Sequence, residues 1–149
     1  MDPVEELLAI DEIHQLKARY FRCLDTRDWD GFAAVFTEDA QLDMSEEAGP
    51  DATPVVGRGP IVELVRRVVG DAMSVHHGHM PEIKIESHDT ATGIWAMEDQ
   101  LVWAESDPVR STHGYGHYHE RYRRTPEGWQ IAWMLLTRLR VDRERRPRA

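Results

Sequence analysis

From Thr90 to Ser106 the chain reads TATGIWAMEDQLVWAES, and Trp95, Met97, Leu101 and Trp103 recur at every second position. A period of two turns alternate side chains to opposite faces of an extended strand, so this segment must lay one apolar face against a core. The same face carries Asp99. A carboxylate among large apolar side chains is costly unless it is paired, hydrogen-bonded or protonated. The reading is therefore a pocket carboxylate, with a structural partner to an arginine or a backbone amide as the alternative. Glu98 and Gln100 fall on the other face and read as solvated.

Upstream the period is different. Leu7, Ile10, Ile13, Leu16, Tyr20 and Leu24 recur at helical spacing over residues 4–24, with no Pro or Gly inside. DTRDWDGF interrupts them, and a second short helix should follow with Trp29, Phe32, Val35 and Phe36 on its apolar side. TEDA reads as a turn into a short strand, AQLDM. Residues 45–57 read as a polar Pro- and Gly-bearing loop. GPIVELVRRVVG reads as a third helix with Pro60 at its first position and Gly70 as its stop. After residue 72 the pattern is strand-like, closing in a hairpin at TPEG. Helices first and an antiparallel meander afterwards predict an α+β domain over residues 1–149. It would be a cone-shaped, curved antiparallel (mixed) sheet wrapped around three N-terminal helices, enclosing a pocket. Residues 141–149 are expected to form a flexible basic tail, since residues 138–149 hold six arginines against two acids.

Composition narrows the function. A net charge of −9 lacks the basic footprint of a nucleic-acid binder. No apolar run approaches the ~20 residues of a membrane span, and MDPVEELL carries no signal-peptide pattern. A cytoplasmic protein with no membrane partner is expected. One cysteine, Cys23, excludes an internal disulfide and a multi-cysteine zinc site.

Several polar residues are candidates for chemistry. SVHHGHMPEI holds His76, His77 and His79. In a regular strand His77 and His79 share a face and His76 takes the other, but Pro81 disturbs the alternation and leaves the faces open. One of the three beside Asp99 would make a general base near neutral pH, because a carboxylate stabilises the imidazolium. Tyr20 lies on the apolar stripe and its hydroxyl needs an interior partner. Asp25, about 140° further round a continuous helix, can turn back beside Tyr20 if the helix ends near Leu24. Arg138, in phase with Ala132, Met134 and Leu136, needs an anion: Asp99, Asp25 or a ligand. Trp95, Met97 and Tyr118 complete the substrate-binding candidates. His77, His79, His117 and His119 raise a metal site, weighed against a solvated or subunit-facing strand side. No metal and no cofactor is the reading preferred. His14, His88 and His113 read as surface residues.

These residues carry a resemblance. YFRCLD at 20–25, H-x-G-H-x-PEI at 76–83, TATG-x-W at 90–95, ED-x-L at 98–101 and the arginine of the final strand resemble the SnoaL-like branch of the nuclear-transport-factor-2-like superfamily. That branch includes scytalone dehydratase and, in closer resemblance, the bile acid 7α-dehydratases. The resemblance covers roughly residues 10–140. It implies Tyr20 and Asp25 as a helix-end pair, His76 as the active-site histidine, Asp99 as its carboxylate and Arg138 as the final-strand arginine. It implies a cofactor-independent dehydratase acting on a hydrophobic steroid-like or polyketide-like hydroxy-carbonyl compound. A ketosteroid-type isomerase, a polyketide cyclase and a non-catalytic small-molecule binding module are the alternatives. A homo-oligomer, dimer or trimer, is expected from the same resemblance.

Overall fold

The structure is a computed structural model that describes residues 1–147. Helix α1 (Pro3–Asp25) begins at a capping box. The Asp2 carboxylate accepts from the backbone N–H groups of Val4 and Glu5 at 2.8 and 3.0 Å. The Glu5 carboxylate in turn accepts from the N–H of Asp2 at 3.0 Å. Three backbone N–H groups are thus satisfied, and Pro3 sits where a missing N–H costs nothing. The buried stripe runs through Ala9, Ile13, Leu16, Lys17, Tyr20, Cys23 and Leu24. Leu7, expected on it, faces solvent.

Helix α2 (Trp29–Ala34) is capped by Asp28, whose carboxylate accepts from the N–H of Gly31 at 2.9 Å. The helix stops two residues short of Phe36, which opens strand β1 (Phe36–Asp43). The expected TEDA turn is therefore part of a strand. The cause is non-local: the N–H of Ile131 donates to the carbonyl of Val35 at 2.8 Å and hooks the chain onto the last strand. Residues 45–57 are not all loop. They contain the single turn α3 (Ser45–Ala48) and the two-residue strand β2 (Val55–Val56), which pairs with Gln41 and Leu42. Helix α4 (Arg58–Val69) places Pro60 third rather than first, still inside the turn whose N–H groups have no helical partner. Gly70 ends it at φ 51°.

The remaining chain forms β3 (Met73–Gly78), β4 (Glu82–Ile85), β5 (Thr90–Val102), β6 (Val109–Thr125) and β7 (Gly128–Arg145). The seven strands make one curved mixed sheet in the order β2-β1-β7-β6-β5-β3, with β4 pairing the other end of β5. Only β1 and β7 run parallel; the other pairs are antiparallel. Register shifts between Tyr115 and Gly116 and between Arg121 and Tyr122 bend the long β6–β7 ribbon. The helices pack on the concave side, giving the expected α+β architecture. The basic end is not a loose tail from residue 141. Strand β7 continues to Arg145, because Val141, Arg143 and Arg145 pair with Gly114, Thr112 and Val109. Arg148 and Ala149 lie outside the described residues. No helix among the described residues is long and apolar enough to cross a membrane.

Between α1 and the sheet lies a buried ion pair. The Lys17 ammonium bonds the Glu120 carboxylate, and both side chains are essentially sealed from solvent. Tyr122 donates its hydroxyl to Glu120 and accepts from the Trp95 indole N–H at 2.8 Å. Burial lowers the pKa of Lys17 and Glu120 opposes that shift. Removing one member strands the other charge in the core. Lys17→Met is expected to cost about 3–5 kcal/mol in urea denaturation, and Lys17→Met with Glu120→Gln should recover a clear part of it. An equal loss in single and double variants would contradict this account.

Candidate active site

A cavity of about 660 Å³ opens between α1, α4 and the concave face of the sheet. Leu24, Val65, Val69, Leu101, Met134 and Leu136 supply apolar wall, and Tyr20, His76, Asp99, Tyr118 and Arg138 supply polar groups. A mostly apolar cavity with a few converging polar groups is the usual form of a small-molecule site.

Strand alternation in β3 decides among the three histidines. Ser74 and His76 point inward and are buried, while Val75 and His77 point out. His76 pairs in register with Asp99 on β5, so both side chains enter the cavity side by side. The partner of the imidazole is nevertheless Asp25. His76 Nδ1 lies 2.6 Å from Asp25 Oδ1, and the backbone N–H of His76 donates to Asp25 Oδ2 at 2.8 Å. The Ser74 hydroxyl donates to Asp25 Oδ1 at 2.9 Å. Burial pushes the Asp25 carboxyl upward, but the hydrogen bonds from His76 and Ser74 outweigh it and hold the group below the usual carboxylate range. An ionised carboxylate only accepts, so the proton of a neutral His76 belongs on Nδ1. Nε2 is then left with its lone pair.

Asp99 is engaged elsewhere, which corrects the expected His76–Asp99 dyad. Arg138 forks onto it with Nη1 to Oδ1 and Nη2 to Oδ2, both at 2.8 Å. The arginine is desolvated, yet its bonds to Asp99 raise its pKa further. Asp99 Oδ2 stays 3.9 Å from His76 Nε2, beyond a direct bond. The fork passes over Gly114 on β6, where any Cβ would collide with Arg138 Nη1 and Asp99 Oδ1. Asp25, expected to position Tyr20, instead anchors the histidine. Asp25 closes α1 and reaches across to β3 rather than turning back beside Tyr20.

Tyr20 and Tyr118 meet edge to face, with ring centroids 5.7 Å apart, at the base of the cavity. The Lys17 ammonium lies 3.8 Å and 3.6 Å from their centroids. Burial first, then the Glu120 charge, raises the phenol pKa of Tyr20; burial dominates at Tyr118 too. Both are neutral hydrogen-bond donors near pH 7. Met97 lies behind the arginine, with its sulfur 3.7 Å from Arg138 Nη1. Trp95 does not join the site. It packs against His14 and bonds Tyr122 in the core.

Five of the other histidines divide into two groups on the convex face. His77, His79 and His113 surround Glu98 at 3.7, 3.6 and 3.0 Å. Their bonds, that of His113 foremost, hold the Glu98 carboxyl below its ordinary range. His113 is thus more than a bare surface residue. His117 and His119 stand apart from them, His119 bonding Thr137 at 3.1 Å. Among the described residues no three His, Cys, Asp or Glu side chains form a metal cage.

Sequence reasoning did not single out Ser74, Lys17, Glu120 or Gly114. The signals were present in part. Ser74 is two residues from His76 on the same strand face. Lys17 shares the stripe of Ile13 and Tyr20, and Glu120 alternates with Tyr118 and Tyr122.

A concave sheet with helices over an apolar cavity and a histidine–carboxylate pair at its wall defines a small-molecule-binding α+β cone. The chain belongs to the SnoaL-like domain family, whose profile matches residues 5–134. It is similar to a putative aromatic ring hydroxylase from Novosphingobium aromaticivorans, at 28% identity over 97% of this chain and 96% of that one, with a TM-score of 0.78. A putative scytalone dehydratase from the same organism shares the fold at 17% identity, 99% and 95% coverage and a TM-score of 0.83. So does a hexachlorocyclohexane dehydrochlorinase, LinA-type3, from Novosphingobium barchaimii, at 18% identity, 96% and 94% coverage and a TM-score of 0.79.

The depressed Asp25 carboxyl has a pH consequence. A group whose folded pKa is lowered stabilises the fold fully above its unfolded value, about pH 4, and loses that contribution as pH falls through the lower folded value. Asp25→Asn should therefore flatten the acid limb of stability against pH below about pH 4, measured by urea unfolding. An acid limb as steep as that of the parent would contradict the assignment.

Proposed function

We propose that the protein is a cofactor-independent lyase, a dehydratase, acting on a hydrophobic alicyclic, steroid-like or polyketide-like alcohol whose hydroxyl lies β to a carbonyl, directly or through a conjugated double bond. The observation that carries this reading is His76: Nδ1 is held by ionised Asp25, and Nε2 faces an apolar cavity. In the proposed reaction Nε2 removes the proton on the carbon beside the hydroxyl-bearing one, acidified by the carbonyl next to it or by a carbonyl at the far end of a conjugated double bond. The imidazolium that forms is stabilised by Asp25 at Nδ1 and by Asp99 nearby. Tyr20 donates to the carbonyl oxygen as enolate charge develops, with Tyr118 beside it. The electron pair of the enolate, or of the dienolate where a double bond intervenes, then expels the hydroxyl, and His76 returns its proton to that oxygen so that water leaves. Arg138 occupies both oxygens of Asp99 and keeps it out of proton transfer. A closer kinship with bile acid 7α-dehydratase belongs to this proposal. So do a cytoplasmic setting and a homo-oligomer, dimer or trimer, for which light scattering should give a multiple of the chain mass; the mass of one chain would refute it.

The deciding test is turnover read by mass spectrometry. Hydroxylated cyclic ketones and 3-oxo-4-ene steroids with a 7-hydroxyl are offered to the parent protein and to His76→Ala. Loss of one water from a substrate is expected with the parent, falling at least ~100-fold in the variant, as for removal of a general base. An unchanged mass with a moved double bond would replace the dehydratase by an isomerase. Ligand binding without turnover in both proteins would replace it by a binding module.

A further inference from the structure

We propose that Arg27 is a positioning residue for the His76 base, acting through Ser74 on Asp25. This inference rests on the reading of His76 given above. Arg27 is the one described non-glycine residue with positive φ, at 61°. That conformation is uncommon for a long side chain and persists where the surroundings hold it. It turns the chain back immediately after α1 and sends the guanidinium across the helix end to the start of β3. Nη1 donates to the carbonyl of Leu24 and to Ser74 Oγ, both at 2.8 Å, and Nη2 donates to the carbonyl of Ala72. One planar group thus joins the last turn of α1 to the strand that carries His76.

The direction of these bonds matters more than their number. A guanidinium only donates, so Ser74 Oγ must accept from Arg27. The single hydroxyl proton of Ser74 is then free for Asp25 Oδ1, 2.9 Å away. An ionised carboxylate only accepts, so every hydrogen bond in the row Arg27, Ser74, Asp25, His76 has a fixed sense. Asp25 is clasped at Oδ1 by Ser74 and the His76 ring, and at Oδ2 by the His76 backbone. It cannot rotate about its side-chain bonds without breaking one of them. The proton on Nδ1 and the lone pair on Nε2 follow from that fixed carboxylate. A plain helix cap would need only the Leu24 contact. The bond to Ser74 reaches beyond capping, into the site.

The test reads the tautomer directly and needs no substrate. Protein labelled with ¹⁵N at histidine is examined by long-range ¹H–¹⁵N correlation near pH 8, with His76 assigned by comparison with His76→Asn. The parent should show His76 as the Nδ1–H tautomer. Ser74→Ala and Arg27→Gly should each convert it to a mixture of the two tautomers. Ser74→Thr, which keeps the hydroxyl, should restore the single form. Glycine is chosen at position 27 because it accepts positive φ without strain, so the turn survives while the guanidinium is lost. A purely structural role would lower the melting temperature and leave the tautomer unchanged. The Nδ1–H form in the parent and in both deletion variants would overturn the role of Arg27 and Ser74 and leave the base intact. The Nε2–H form in the parent would overturn the reading of His76 itself.

Discussion

The ion pair of Lys17 and Glu120 sets how α1 lies in the cone. A charged pair sealed from solvent tolerates little displacement, because a shift that breaks it leaves two unpaired charges in the core. It therefore fixes both the rotation of α1 and its height against β6. Tyr20 is one turn further along the same helix face, and the same ammonium lies against its ring and that of Tyr118. The floor of the cavity is thus held by the contact that docks the helix. Tyr122 and Trp95 extend the arrangement outward, so each buried polar group in it has a partner.

With α1 docked, its end decides the chemistry. Asp25 meets β3 where Ser74 and His76 face inward. A neighbouring carboxylate, Asp99, enters from β5 and is neutralised by the arginine of β7. The two acids have separate tasks because their partners differ. One faces an imidazole and orients it; the other faces a guanidinium and completes the polar wall. The exchange of roles relative to the sequence reading comes from this competition. Asp99 and His76 are cross-strand neighbours, as the strand period implied, but the planar fork of Arg138 satisfies both oxygens of Asp99 at once.

Local patterns made much of this legible. The period of 3.6 over residues 4–24 and of two over residues 90–103 located the longest helix and a central strand. An acid and an arginine on apolar faces marked Asp99 and Arg138 as residues in need of partners. The cap at Asp2-Pro3 and the Gly70 stop are local chemistry as well. What was missed depended on contacts far apart in the chain. Phe36 leaves α2 because the carbonyl of Val35 bonds Ile131. Trp95 and Met97 share the phase of Asp99 yet stand behind or below the cavity, since the phase specifies a face and not the depth along the cone. The chain end reads as a tail by charge, but its backbone pairs with β6 as far as Arg145.

By itself, then, the sequence determined that side chains such as Tyr20 and Asp99 turn inward, because facing follows from a repeat measured along one regular element. It also supplied the family kinship and the set of polar residues that had to find partners. Only the tertiary structure decided who pairs with whom: Asp25 with His76, Asp99 with Arg138, Lys17 with Glu120. Those choices depend on distances of a few ångströms between residues 51, 39 and 103 positions apart, set by helix docking, strand register and the gap that Gly114 leaves. No periodicity in the chain encodes such distances, because they arise only when the whole sheet has closed around the helix.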